Sequence, residues 1–293
     1  MSDIQLKNVT KRYRQKTAIS SLTLDIPDKS MTGLVGPNGA GKTTLLNMIA
    51  GFEKTTDGEL TVFGEEPFDH LNVAANLFYV HDGMMYPQDF RIADVFRAFQ
   101  TNYPHWDQAL AEQLAQHFGL DIRQMPRYLS KGQASTLNAV IGLAVHTPVT
   151  LFDEPTTGMD YGVRRDFYRA LLKSYLATPR TIVLSSHLLN ELEDLLEHVV
   201  LINRGELVLQ TEMDDLKHYA VGVSGTEEQL NGLENVLYQE SLGFNQHFWV
   251  IEHPGESDLN RLREQGLSVA PVAPADLCVY LTQTGKGDID DVF

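Results

Sequence analysis

From Gly36 to Thr43 the chain reads Gly-Pro-Asn-Gly-Ala-Gly-Lys-Thr, which fits the spacing G-x-x-x-x-G-K-[ST]. Glycines so spaced let successive backbone N–H groups curl around phosphate oxygens. A helix starting behind them points its positive end at the same place. Gly36, Asn38, Gly39, Ala40, Gly41 and Thr44 are the expected cradle; Lys42 is expected to reach the β and γ phosphates, and the Thr43 hydroxyl to ligate Mg²⁺. A glycine-rich turn with a solvated lysine is the plainer alternative. The apolar Met31 to Val35 before the loop and Leu45 to Ala50 after it read as strand and helix, which favours nucleotide binding.

Three further groups carry chemistry. Val149-Thr150-Leu151-Phe152 runs into Asp153-Glu154, so an apolar strand sets carboxylates at its C-terminal end, where open parallel sheets bind ligands. Asp153 suits a place in the Mg²⁺ shell, and Glu154 can polarise a water for attack on a γ phosphate. His187 follows the strand Thr181 to Leu184 through Ser185-Ser186, within reach of developing phosphate charge. Leu129-Ser130-Lys131-Gly132-Gln133 precedes the helical stretch Ala134 to Val145; Ser130 is a fitting N-cap, and Gly132 opens a helix start that can grip an anion.

These groups need elements to hold them. Strand-like Ile4 to Val9, Leu22 to Ile26 and Met31 to Val35 come first. Helical periodicity fills about 89–145, an insertion interrupted by Pro104 and Pro126. Strands Val149 to Phe152, Thr181 to Leu184 and Val199 to Ile202 then alternate with helices Gly162 to Leu176 and Leu188 to Leu196, the rhythm of a parallel α/β sheet. This core ends near Asp215. Beyond it, Tyr219 to Val223, Glu227 to Leu233, Val236 to Glu240, His247 to Glu252, Ser257 to Gln265 and Leu267 to Val269 read β, α, β, β, α, β, the ferredoxin-like order. Residues 216–293 hold 4 basic and 12 acidic residues, a composition shift that marks a separate α+β accessory domain. Within it, the acidic run Asp288 to Asp291 reads as a disordered end.

Composition bounds the functions. The 293 residues carry 23 Lys and Arg against 39 Asp and Glu, a net charge of -16 that repels nucleic acid phosphates, so no nucleic-acid partner is expected. Cys278 is the sole cysteine, which excludes an intramolecular disulfide and a cysteine-rich zinc site. Met1 to Lys11 lacks a signal-peptide layout, and no apolar run approaches the ~18 residues of a membrane span. The expectation is a soluble, cytoplasmic chain that meets a membrane only through a partner.

The order of the phosphate loop, Leu129 to Gln133, Leu151-Phe152-Asp153-Glu154-Pro155 and Ser186-His187 resembles the nucleotide-binding subunits of ATP-binding cassette (ABC) transporters, over about residues 4–215. The resemblance implies a P-loop ABC ATPase core with a helical subdomain, using ATP and Mg²⁺, with Lys42, Glu154 and His187 catalytic. It implies that Tyr13 stacks on adenine and that Gly158-Met159-Asp160 contacts an opposing subunit. Two subunits, identical or related, would sandwich two ATP molecules head to tail. Ser130, Gly132 and Gln133 of one would complete the site around Lys42 of the other.

One departure stands out. Where the family has a glutamine after a strand of the Leu77 to Val80 type, this chain has His81-Asp82; Asp82 can still ligate Mg²⁺, at the cost of negative charge beside the triphosphate. Thr101 to Asp107, together with Leu129 to Gln133 and the extra domain, look like the bacterial subgroup that serves separately encoded permeases in drug, peptide or lantibiotic-type export and self-protection. Phe90, Phe96, Phe99, Tyr103 and Trp106 form either a groove for a permease helix or, at helical spacing, core. Two other functions compete: a soluble cassette ATPase acting on ribosomes or DNA, and a nucleotide-gated module without turnover. A single phosphate loop speaks against the former, and Glu154 with His187 against the latter.

Overall fold

The computed structural model describes residues 2–243 and 246–283. It begins with an antiparallel pair, β1 (Ser2–Tyr13) and β2 (Lys16–Pro27). The buried β3 (Met31–Val35) then feeds the glycine loop and α1 (Lys42–Ile49), and β4 (Asp57–Val62) returns to the free side of β1, giving a three-stranded sheet in the order β2-β1-β4. After α2 (Leu71–Asn76) and β5 (Leu77–Val80) comes the helical insertion, α3 (Ile92–Asn102), α4 (Gln108–His117) and α5 (Lys131–Ala144). The chain re-enters the core with β6 (Val149–Asp153), α6 (Tyr161–Ala177), β7 (Thr181–Ser186), β8 (His198–Asn203) and β9 (Glu206–Glu212).

The central sheet runs β5-β6-β7-β3-β8-β9, parallel except for β9. Every residue of β3, β5 and β7 is buried, as both faces of a parallel sheet must be. Because side chains alternate across a strand, Leu151 joins the core beneath α1 and the three-stranded sheet, while its neighbour Phe152 joins the core under the helices. The order β6-β7-β3 matters most, because it sets the loops after these three strands side by side.

In the helical subdomain Phe99 stacks on Tyr103 and Trp106 with ring centroids 5.3 Å away in each case, and Phe96 is fully buried. Phe96 lies in the core, and Phe90, Phe99, Tyr103 and Trp106, partly buried, pack against it, which favours the core reading over the permease groove. α5 presses on the sheet through Gly142: a Cβ there would lie 2.5 Å from Val80 Cγ2 and 2.6 Å from Phe152 Cε1. Alanine in a helix gains about 1 kcal/mol over glycine by propensity. Overpacking a rigid core costs about 1–3 kcal/mol. Gly142→Ala is therefore expected to destabilise the protein, read as a lower urea midpoint.

The C-terminal part comprises α7 (Met213–Lys217), β10 (Ala220–Gly225), α8 (Glu227–Leu230), β11 (Val236–Gly243), β12 (Gln246–Glu252), α9 (Glu256–Glu264), β13 (Ser268–Pro271) and α10 (Pro274–Thr282). Its antiparallel sheet runs β11-β12-β10-β13, the ferredoxin-like strand order. One face holds Val221, Val223, Ile251 and leucines of α8 and α9. The other, with Leu277 and Cys278 of α10, joins the main core at Leu189, Leu192 and Leu201.

Two expectations change. Leu188 to Leu196 is not a full helix but a single 3₁₀ turn, Leu189–Glu191; three residues per turn puts Leu189 and Leu192 on one side, and both are buried. The helix expected at Glu227 to Leu233 stops at Leu230. Strands β4 and β9 and helix α10 were not anticipated. The acidic run Asp288 to Asp291 lies outside the described residues.

Candidate functional site

The glycine loop joins the C-terminal end of β3 to the first turn of α1. Gly41 holds φ +110°, and a Cβ there would lie 2.8 Å from the Ala18 carbonyl oxygen, so a larger residue is excluded on both counts. Lys42 is only 6% exposed; its Nζ donates to the Gly36 carbonyl at 2.7 Å and lies 3.4 Å from Glu154 Oε1. A buried ammonium held on loop carbonyls and one carboxylate is a cation ready to exchange them for phosphate oxygens.

Asp153 ends β6 and is the hub of the site. Its Oδ1 accepts from Ser185 Oγ at 2.6 Å, and its Oδ2 accepts from Thr43 Oγ1 at 2.7 Å and from Tyr79 Oη at 3.3 Å. Burial, reinforced by Asp153, pushes the Tyr79 phenol well above its ordinary range, so it stays protonated and donating. Ser185 Oγ also accepts from the Glu154 backbone N–H at 2.9 Å and so ties β7 to both acidic residues. Glu154 itself has φ +45°, a left-handed conformation that a non-glycine residue holds only where its surroundings impose it. That turn aims its carboxylate between Lys42 and His187, whose Nδ1 is 2.8 Å from Oε2.

Lys42, Glu154 and His187 border a cleft of about 600 Å³ together with residues 37–44. Lys16 and Arg204 stand on the same wall and add positive charge that the sequence reading missed. Ser185 had been noticed only as part of a polar run before His187. Tyr79 gave no signal beyond its place in an apolar strand.

Thr43 and Asp153 meet through hard oxygens and so fit Mg²⁺, which takes few protein oxygens and completes its shell with water and phosphate. Asp82 does not join them. Its carboxylate is 3.3 Å from the Lys131 ammonium and largely exposed, so the expected metal role yields to an ion pair with the helix start of α5. His81, beside it, packs edge-on to Phe52 and close to Tyr79. Burial lowers its pKa, against the opposing pull of Asp153 and Asp82.

Tyr13 lies off the cleft wall: its hydroxyl donates to Glu53 and Lys11 Nζ sits 5.0 Å from the ring centroid, leaving a half-exposed aromatic face. Ser130 caps α5 by accepting from Gln133 N at 3.3 Å, while the Gln133 side chain accepts from Ser130 N. A Cβ on Gly132 would lie 2.3 Å from the Gly158 carbonyl oxygen, so this glycine lets the helix start press on the loop after β6. None of Ser130, Gly132 and Gln133 lines the cleft of its own chain.

Residues 19–157, from within β2 to the turn after Glu154, match the family model described as ABC transporter. The chain contains an ATP-binding domain of the ABC transporter family. As such it is an α/β ABC ATPase. It is 32% identical over 213 residues to the glucosylceramide transporter ABCA12 of Mus musculus, aligning 70% of this chain with only 8% of that protein. It is 29% identical to the Nod factor export ATP-binding protein I of Cupriavidus metallidurans, with 80% of each chain covered. Among solved structures, a dimeric ATP-binding cassette in a post-hydrolysis state with ADP and Pi superposes at TM-score 0.64 and 22% identity, covering 72% of this chain and 98% of that one. The fold of the ABC cassette thus accounts for most of this chain but a small part of ABCA12.

Proposed function

We propose that this ABC ATPase is the motor subunit of an exporter whose permease is a separate polypeptide. ATP sits in the Lys42 cleft with the adenine against Tyr13, and Glu154 accepts the proton of the attacking water. Thr43 and Asp153 hold Mg²⁺, which supplies charge neutralisation at the phosphates. Lys42 follows the γ phosphate, and His187, fixed through Nδ1 by Glu154, presents its other nitrogen to the charge that develops there. The observation that carries this reading is the continuous Lys42–Glu154–His187 contact bordering the phosphate cradle.

Ser130, Gly132 and Gln133, capped but remote from the cleft of their own chain, serve the ATP of a second cassette, identical or related, in a head-to-tail dimer. ATP closes that dimer, closure moves the permease, and hydrolysis reopens it. Among the described residues no helix is long and apolar enough to cross a membrane, which fits a cytoplasmic subunit held at the membrane by its permease. The export direction draws on the Nod factor export relative, and residues 216–293 form an accessory domain to residues 1–215.

The test is capture of the tagged chain from detergent-solubilised native membranes. A multi-spanning protein recovered in roughly equal copy number is the expected result. Reconstituted into vesicles with the cassettes outside, the complex should load its substrate into the lumen on addition of ATP. Capture of soluble partners alone would overturn the coupling to transport, and ATP-driven movement the other way would overturn the direction.

A further inference from the structure

Tyr13 ends β1 beside the short turn into β2, and its ring is half-exposed. An exposed aromatic side chain at a strand end ordinarily moves among rotamers within nanoseconds. Here the hydroxyl is tied to a carboxylate. It donates to Glu53 Oε2, and the same oxygen lies 3.0 Å from the Lys11 ammonium. The other oxygen, Oε1, accepts from Asn47 Nδ2 at 3.2 Å. Burial opposes ionisation of Glu53, yet donors from Tyr13, Lys11 and Asn47 hold its pKa below the ordinary carboxylate value.

The elements explain why these four residues meet. Lys11 and Tyr13 are two apart on β1, and the ammonium stands over the Tyr13 ring while also donating to the Lys54 carbonyl at 2.7 Å. Asn47 lies on α1, and its carbonyl accepts from Phe52 N at 2.9 Å and Glu53 N at 3.3 Å. Backbone and carboxylate of Glu53 are thus both fastened to the helix that carries the phosphate cradle. We propose that Glu53 is a positioning residue for the base of the bound nucleotide: through the Tyr13 hydroxyl it holds the ring in the plane on which adenine stacks, and through Asn47 it anchors that plane to α1. The inference rests on the reading of Tyr13 as the partner of adenine. Stacking needs only the ring, so the hydroxyl is free for this task. A ring held in one orientation before binding avoids the ordering cost of a mobile side chain, which is worth about threefold to tenfold in affinity.

The test compares ATP with inorganic tripolyphosphate, which offers a chain of phosphates and no base, by calorimetric titration of the full chain with Mg²⁺ present. The Kd for tripolyphosphate divided by the Kd for ATP isolates the base, because a lost charge at position 53 or a disturbed α1 shifts both ligands together. Tyr13→Phe keeps the ring and loses the hydroxyl, and should lower this ratio about threefold to tenfold through weaker ATP binding alone. Glu53→Ala should do the same, and adding it to Tyr13→Phe should lower the ratio no further, since each variant removes the one contact. Glu53→Gln retains an acceptor of the same shape and should recover most of the ratio. Tyr13→Ala, which removes the stacked ring itself, should lower it about 10-fold or more. An unchanged ratio in Tyr13→Ala would remove the stacking reading and this inference with it. A lowered ratio in Tyr13→Ala beside parental ratios in Tyr13→Phe and Glu53→Ala would overturn the positioning role alone, as would equal weakening of ATP and tripolyphosphate by Glu53→Ala.

Discussion

Replacing Glu154 by glutamine should stop ATP turnover while leaving ATP bound. Glutamine has nearly the same shape and can still accept a hydrogen bond from His187 at the 2.8 Å contact, but it cannot take a proton from water. Losing a general base typically costs about 10²–10⁴-fold in rate. Binding moves the other way. The carboxylate lies 3.4 Å from Lys42 and would stand near the triphosphate, so neutralising it removes a repulsion and frees the ammonium. The expected outcome is a rate at least about 100-fold lower, with ATP affinity equal to or tighter than that of the parent. ATP should then hold the variant as a closed dimer, seen as a doubled mass by light scattering. Hydrolysis at the parental rate would exclude Glu154 as the base. A slow rate with a monomer throughout would leave the base in place and remove the head-to-tail dimer.

The sequence made the floor of this site readable because local geometry dictates it. A phosphate cradle needs Gly41 at a positive φ and a lysine at the next position, and both demands are written in the local spacing of the chain. The same holds for the apolar strand that delivers Asp153 and Glu154. What stayed hidden depends on which strands become neighbours. Ser185 is important because β7 lies between β6 and β3, and Tyr79 because β5 borders β6; no spacing in the chain records those adjacencies. Asp82 shows the converse. Its position after β5 suggested a metal oxygen, but Lys131 at the start of α5 stands 3.3 Å from the carboxylate, and the pair forms instead. The leucines at 189, 192 and 196 had helical spacing yet gave one 3₁₀ turn, because burial against α10 and the main core sets that segment. Helix α10 was missed for the same reason: its apolar face has meaning only once the accessory sheet lies against the core.

Lys42→Ala should abolish nucleotide binding without unfolding the chain, and the two effects can be separated by magnitude. The lysine is buried, but in the nucleotide-free protein its contacts are two loop carbonyls and Glu154, none of them part of the apolar core. Its removal forfeits little packing, since α1 is anchored by Leu45, Leu46 and Ile49. The melting point without nucleotide should therefore fall by several degrees with the chain still folded, since removing one partner of a buried ion pair is destabilising but leaves Glu154 with His187 as its remaining partner. With ATP the contrast is large. A ligand present at about 100 times its Kd stabilises the folded state by about 2.7 kcal/mol, and at a Kd raised 100-fold the same concentration gives only about 0.4 kcal/mol. At roughly 2–4 °C per kcal/mol for a domain of this size, the parent should gain about 5–10 °C and the variant about 1 °C. Two charge-assisted contacts to phosphate, each of about 1.5–3 kcal/mol, account for a 100-fold loss or more. A variant that still gained the parental shift would show that the glycine loop and the helix end hold ATP unaided, and that Lys42 has some task other than gripping phosphate.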